Sequence, residues 1–122
     1  MMKGVLRKDN RPVVPLVVGW DRGIQEIVAL VDTGFNGELK MPPKMVDELG
    51  LRITHVQPVL LANDSIAQSA ASLAFVNLEG ITEEVNVLIA EGLAAIGVGL
   101  LKRFGYKLIV DFKYNSVVLE RE

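Results

Sequence analysis

The residues best suited to chemistry in this chain are Asp32, Thr33 and Gly34, which directly follow an apolar run of five residues. Such a run predicts a strand that is buried on both faces. A carboxylate at the end of a buried strand is costly to desolvate unless another group pairs with it or shares its proton. Gly34 permits a tight turn and the close approach of another chain or a ligand, and the Thr33 hydroxyl can donate or accept a hydrogen bond. The pattern indicates a rigidly held carboxylate at a strand exit. The simpler alternative is a turn in which Asp32 caps nearby N–H groups.

Composition narrows the classes of function. Half of the 122 residues are apolar, which predicts one globular domain over residues 1–122. The net charge of −2 indicates no nucleic-acid partner. There is no cysteine and only one histidine, His55, so neither a metal site nor a Ser-His-Asp triad is expected, and no cofactor is expected. The first residues do not resemble a signal peptide, and no apolar stretch reaches membrane-spanning length, so the expected location is cytoplasmic, with no membrane partner.

Apolar runs and turn residues predict a chain made mainly of strands. The predicted strands are Lys3–Arg7, Val13–Trp20, Ile24–Val31, Glu38–Met41, Val56–Ala62, Ile66–Leu78, Val85–Ile89, Tyr106–Asp111 and Ser116–Glu120. Pro15 places the second of these at a sheet edge or a bulge.

Two short helices interrupt the strands. Pro42–Gly50 predicts a helix because proline suits the first turn and Gly50 ends it. A second short helix follows the small-residue strand end at 94–97 and ends at Gly105. Lys102 and Arg103 are assigned to a solvated face of this helix.

The triplet Asp32-Thr33-Gly34 resembles the active-site signature of the retropepsin-like aspartic proteases, in particular their small prokaryotic relatives. Ala95-Ile96-Gly97 matches the apolar-apolar-Gly element in the second half of that fold, and the following helix lies where the family keeps one. The hairpin tip Asn63-Asp64-Ser65 lies between the two elements, in the place of the family's flap. The resemblance implies an all-β fold, a closed or partly open β-barrel of the retropepsin (acid protease) type with one or two short helices.

The chain departs from the viral members of that family beside the triplet. Those enzymes follow it with a small residue and an acid, where this chain has Phe35 and Asn36. They also place an arginine after the second-half glycine to pair with that acid, where this chain has Val98. Both partners of the ion pair are absent together, so no charge is left unpaired. Phe35 beside the triplet could fill a subsite or simply pack, and packing is the favoured role.

The resemblance also implies a mechanism and partners. It implies an aspartic endopeptidase active as a homodimer, in which Asp32 of each subunit is catalytic and Thr33 and Gly34 support the active-site loop. Asn63, Asp64 and Ser65 would contact a peptide or protein substrate from the flap. Water would be the nucleophile, with neither metal nor cofactor.

Two other interpretations remain open. A dimeric β-barrel of the same fold could bind a peptide or protein partner without cutting it, because a fold can persist when its chemistry is lost. An unrelated small β-domain could carry Asp32 for structural reasons alone. Cleavage that depends on Asp32 separates the first interpretation from the second, and dimerisation through the triplet separates both from the third.

Overall fold

Ten strands and two short helices make up the computed structural model, which describes residues 1–61 and 63–121. The strands are β1 (Met2–Leu6), β2 (Pro12–Trp20), β3 (Gly23–Val31), β4 (Leu39–Met41), β5 (His55–Leu60), β6 (Ile66–Leu78), β7 (Ile81–Ile89), β8 (Ala95–Ile96), β9 (Lys107–Asp111) and β10 (Ser116–Glu120), and the helices are α1 (Pro43–Leu49) and α2 (Val98–Phe104). The predicted order of elements is confirmed. β7 begins at Ile81, earlier than the predicted Val85, and the predicted end of β5 at Ala62 lies outside the described residues.

Six of the strands close into a barrel. They follow one another around the barrel as β2, β3, β8, β4, β7 and β6, and the ring closes where Val17–Gly19 of β2 pairs with Phe75–Asn77 of β6. The contacts of β3 with β8 and of β4 with β7 are parallel, and the other contacts in the ring are antiparallel. β1, β10 and β9 continue the sheet beyond β2, and β5 continues it beyond β6. The predicted all-β barrel with short helices is confirmed.

Pro15 lies inside a central strand, at a place where its missing N–H does no harm. β2 pairs along one side with β3. On its other side it pairs first with β1, at Pro12 and Val13, and then with β6 from Val17 onward. Pro15 lies between these two partners, where a ladder hydrogen bond is not required. The predicted edge position therefore holds only for the residues around Pro15, because β2 has a neighbouring strand on both sides before and after them.

The strand that leads to Asp32 is buried on one face only. Ile27, Ala29 and Val31 are buried in the barrel, whereas the alternate residue Val28 is 62% exposed. The prediction of a strand buried on both faces is therefore wrong. β3 forms part of a barrel wall, whose inner face packs on the core and whose outer face is left open in the single chain.

The two helices begin and end as the sequence predicts. Pro43 occupies the first turn of α1, and Gly50 ends it in the left-handed conformation with φ of 74°. Gly105 ends α2 in the same way, with φ of 71°. Each helix packs apolar side chains on the barrel. Among the described residues, no helix has the length and apolar character needed to cross a membrane.

A polar cluster joins the β6–β7 turn to the last strands. The Tyr106 hydroxyl donates to the Glu79 carboxylate at 2.7 Å and accepts from the Arg121 guanidinium at 2.7 Å. Arg121 also donates to the carbonyl of Leu78 at 3.2 Å. Burial, followed by the hydrogen bond to Glu79, raises the pKa of Tyr106 to about 12. The neutral phenol is therefore the form that stabilises this cluster.

Candidate active site

Asp32 directly follows β3, at the point where β3 pairs with β8 from the second half of the chain. Leu30 and Val31 pair in parallel with Ala95 and Ile96 of β8. The pairing continues one step past the strand, because the Asp32 N–H donates to the carbonyl of Ile96 at 2.9 Å. Both the strand and its exit are therefore held by the second half of the chain, which fixes the position of the Asp32 backbone.

The Asp32 carboxylate is oriented by its own turn. Its Oδ1 accepts a hydrogen bond from the N–H of Gly34 at 2.9 Å, and its carbonyl accepts one from the N–H of Phe35 at 3.1 Å. In the described part of the chain, Oδ2 accepts no hydrogen bond. The side chain is exposed. The position of this carboxylate at a strand exit predicts its desolvation, but the single chain does not desolvate it. A second molecule over the site would be needed to do so.

Thr33 and Gly34 are also exposed. Across residues 1–61 and 63–121, the Thr33 hydroxyl has no hydrogen-bond partner. It is consequently available to a second molecule.

The loop after the triplet rests on the N-terminal end of α2. The Val98 N–H donates to the carbonyl of Phe35 at 2.9 Å, and the Gly99 N–H donates to the carbonyl of Gly37 at 3.0 Å. The approach is close enough to require glycine in the helix. A Cβ at Gly99 would lie 2.8 Å from the Gly37 carbonyl oxygen, and one at Gly97 would overlap the same atom. The Phe35 ring lies beside Gly97 and also lines a groove in front of Asp32, so its position fits both packing and a subsite.

Glu38 connects this loop to β7 and α2, a connection that no short sequence pattern indicates. Its Oε1 accepts from the N–H of Asn86 at 2.8 Å, and its Oε2 accepts from Nε of Arg103 on α2. The Glu38 side chain is only 13% exposed. Its hydrogen bond and charge raise the pKa of the Arg103 guanidinium. Arg103 lies on an exposed face of α2, as predicted, and its guanidinium also pairs with Glu38.

An ion pair thus joins the loop after Asp32 to α2. Its residues are Glu38 and Arg103, whereas the viral enzymes place their ion pair at the positions of Asn36 and Val98. Glu38 and Arg103 are 65 positions apart in the chain. Neither has a local pattern that identifies its partner. The only signal in the sequence is an acid shortly after the triplet and a basic pair near the end of a helix.

A groove of about 400 Å³ runs between the Asp32 loop and the β5–β6 hairpin. Its lining comes from the loop, from both arms of the hairpin and from strands β4 and β7 with the residue that follows β7. The lining residues are Asp32, Gly34, Phe35, Lys40, Val59, Leu60, Leu61, Ala67, Gln68, Ser69, Leu88 and Ala90. Most are apolar, so the groove suits apolar side chains of a ligand and presents a carboxylate at one wall.

The predicted flap residues form the tip of this hairpin. Asn63 Oδ1 accepts from the N–H of Ser65 at 3.1 Å and from its hydroxyl at 2.6 Å, and Asp64 has a left-handed φ of 65°. The turn prediction is confirmed. None of Asn63, Asp64 and Ser65 lines the groove, which is reached instead by residues of the two arms.

Two other polar residues make local contacts. Asp111 Oδ1 accepts from the N–H groups of Lys113 and Tyr114, so it stabilises the turn that follows β9. His55 opens β5 half-buried, and its Nδ1 is 2.7 Å from the Thr54 hydroxyl. Within residues 1–61 and 63–121, no three acidic or histidine side chains are grouped to hold a metal ion.

Comparison with known proteins agrees with this architecture. No protein-family model matches the sequence, and no curated protein matches it. The structure is similar to the crystal structure of a retropepsin-like aspartic protease from Rickettsia conorii, with a TM-score of 0.69 and 16% sequence identity. The similarity covers 98% of this chain and 89% of that chain. The chain therefore has the retropepsin-like fold that the resemblance of its sequence implies.

Proposed function

We propose that the chain is an aspartic endopeptidase that acts as a homodimer, with one Asp32-Thr33-Gly34 triplet from each subunit. The observation that carries this proposal is the position of Asp32. Its carboxylate stands at the exit of β3, oriented by Gly34 and with Oδ2 free, beside a mainly apolar groove. The fold around it is one that a known aspartic protease also has.

Two copies of Asp32 that meet across a two-fold axis would form the catalytic pair. Carboxylates about 3 Å apart cannot both ionise, so the pair shares one proton. The ionised carboxylate removes a proton from a water molecule between them, and that water attacks the carbonyl carbon of the peptide. The protonated carboxylate donates its proton to the carbonyl oxygen as the tetrahedral intermediate forms. The carboxyl that took the proton from water then donates it to the amide nitrogen, and the C–N bond breaks. The other carboxylate takes back the proton from the former carbonyl oxygen, so the two products leave and the shared proton is restored.

The exposure of the triplet supports a dimer over a monomer. In the single chain, the Asp32 carboxylate lies open to water, and among the described residues only the Gly34 N–H donates to it. A second subunit over the same surface would desolvate both carboxylates and give the Thr33 hydroxyl a partner. The β5–β6 hairpin would then cover an extended peptide, which would bind by strand-like hydrogen bonds.

The meeting of two triplets can be tested without a substrate, since the chain has no cysteine. A Thr33→Cys variant is expected to form an intersubunit disulfide under mild oxidation, because a disulfide requires Cα atoms within about 7 Å. Thr82→Cys, at an exposed position at the start of β7, is the matched control and should stay monomeric on non-reducing gels. Equal cross-linking of the two variants would contradict the proposed dimer.

Catalysis itself is tested by mass spectrometry of a peptide library incubated with the wild-type protein and with Asp32→Asn. Asp47→Asn, which removes a carboxylate from the exposed face of α1, is the control. We expect cleavage by the wild type and by the control, and none by Asp32→Asn. Cleavage that survives in Asp32→Asn would refute the catalytic role. Peptide binding without cleavage by any protein would favour the non-catalytic binder of the same fold.

The proposal includes a cytoplasmic location, which was expected from the sequence. Cell fractionation with an antibody against the native protein tests it. Recovery in a membrane or secreted fraction would contradict it.

A further inference from the structure

Lys40 is the basic side chain of the groove. Its neighbours in β4, Leu39 and Met41, are completely buried in the core, so Lys40 points to the opposite side of the sheet. There it lines the groove together with Leu88, its partner in β7. Its position is set by a central strand rather than by a loop, which favours a defined location for the ammonium group.

The ammonium group of Lys40 has no acidic partner in the described chain. Among residues 1–61 and 63–121, no carboxylate oxygen lies within 4 Å of its Nζ. The residues that line the groove carry one other ionisable side chain, that of Asp32. Under the proposed function, Asp32 takes part in catalysis. Lys40 is then the charged side chain of the lining that is available to recognise a ligand.

We infer that Lys40 determines specificity by receiving a carboxylate of the bound peptide, an inference that rests on the proposed endopeptidase function. Apart from Asp32, the other lining residues are apolar or neutral, so Lys40 is the cation in the lining that can distinguish acidic from basic ligands. A peptide lying in the groove displaces water, and an ion pair is stronger there than on an open surface. The preferred substrate is therefore a peptide with apolar side chains near the scissile bond and one carboxylate at the distance of Lys40.

The carboxylate can come from a Glu or Asp side chain or from the C-terminus of the peptide. Both present the same charged group to the ammonium. Peptides with an amidated C-terminus keep only the side-chain source, and peptides with a free C-terminus and Gln in place of Glu keep only the terminal one. Comparison of the two sets identifies which source Lys40 receives.

The test uses peptide pairs that differ only by Glu or Gln at one position, moved stepwise along the peptide. Cleavage is measured as kcat/KM for the wild-type protein, Lys40→Met and Lys40→Glu, with Lys44→Met on the exposed face of α1 as the matched control. We expect the wild type to prefer the carboxylate about tenfold at one position, as for a charge-assisted hydrogen bond. The ratio of kcat/KM for the Glu peptide to that for the Gln peptide should fall to about one in Lys40→Met. Lys40→Glu should instead prefer a peptide with Lys at that position over the peptide with Glu. Lys44→Met should keep the wild-type ratio.

Binding of the same peptides to Asp32→Asn, alone and combined with Lys40→Met, separates this inference from the proposed function. Fluorescence anisotropy with labelled peptides gives the dissociation constants. Carboxylate-selective binding that disappears with Lys40→Met, in the absence of any cleavage by the wild type, would support Lys40 and reject the protease. Cleavage with the same Glu-to-Gln ratio in all variants would overturn the inference and retain the protease. Neither cleavage nor Lys40-dependent binding would overturn both.

Discussion

A methyl group placed on Gly99 tests whether the N-terminal end of α2 holds the Asp32 loop in place. Gly99 lies in the first turn of α2, and its N–H donates to the carbonyl of Gly37 at 3.0 Å. An added Cβ would lie 2.8 Å from that carbonyl oxygen and 2.9 Å from the carbonyl oxygen of Asn36. Both atoms belong to backbone that leads directly from Asp32, so they cannot move aside as a flexible side chain would.

Two effects of Gly99→Ala oppose each other. Alanine is favoured over glycine in a helix by up to about 1 kcal/mol. Forcing a methyl group against packed backbone costs about 1–3 kcal/mol. With the full helix-propensity gain subtracted, the structure predicts a net loss of about 0–2 kcal/mol in the free energy of unfolding, where helix propensity alone predicts a gain. For a chain of this length, each kcal/mol lowers Tm by about 3–5 °C.

The assay combines urea unfolding with cleavage of the best library peptide. We expect Gly99→Ala to lose stability and to cleave more slowly, because the loop that carries Asp32 must shift. Gly97→Ala should be affected more strongly, since its Cβ would overlap the Gly37 carbonyl oxygen. Lys102→Ala, on the exposed side of the same helix, is the control and should change little. A Gly99→Ala protein more stable than the wild type would refute the reasoning.

Two further predictions concern the charged and polar links. Glu38→Gln keeps an acceptor for Asn86 but loses the charge that pairs with Arg103, so we expect a loss of about 1–2 kcal/mol by urea unfolding. When Glu38→Gln is combined with Arg103→Met, the loss of stability should be clearly smaller than the sum of the two single losses. A loss equal to that sum would contradict the coupling between the two residues. Because burial raises the pKa of Tyr106 to about 12, its stabilisation is complete below pH 10 and is lost as pH rises through 12. The free energy of unfolding measured across this pH range should fall more steeply for the wild type than for Tyr106→Phe. Parallel curves for the two proteins would count against a stabilising role of the neutral phenol.

Local signals in the sequence were enough to predict the elements and the candidate site. Proline at the start of α1 and glycine at the ends of both helices act within a few residues, so their effect is visible without the fold. The same is true of the turn at Asn63–Ser65, where side chains bond to neighbouring backbone. The Asp32 triplet, the hairpin tip at Asn63–Ser65, Ala95-Ile96-Gly97 and the helix after it follow the order of the retropepsin-like proteins, and that resemblance implied the barrel that the structure shows.

The tertiary structure alone decided how these parts meet. Glu38 and Arg103 are joined across 65 positions, and neither residue type identifies the other as its partner. The requirement for glycine at position 99 exists only because the Asp32 loop lies against the helix. Lys40 became a residue of the groove because β4 lies between β7 and β8, with its other face in the core. The sequence determined contacts that depend on neighbouring residues, whereas contacts between distant segments depend on how the whole barrel closes, and no short pattern records that closure.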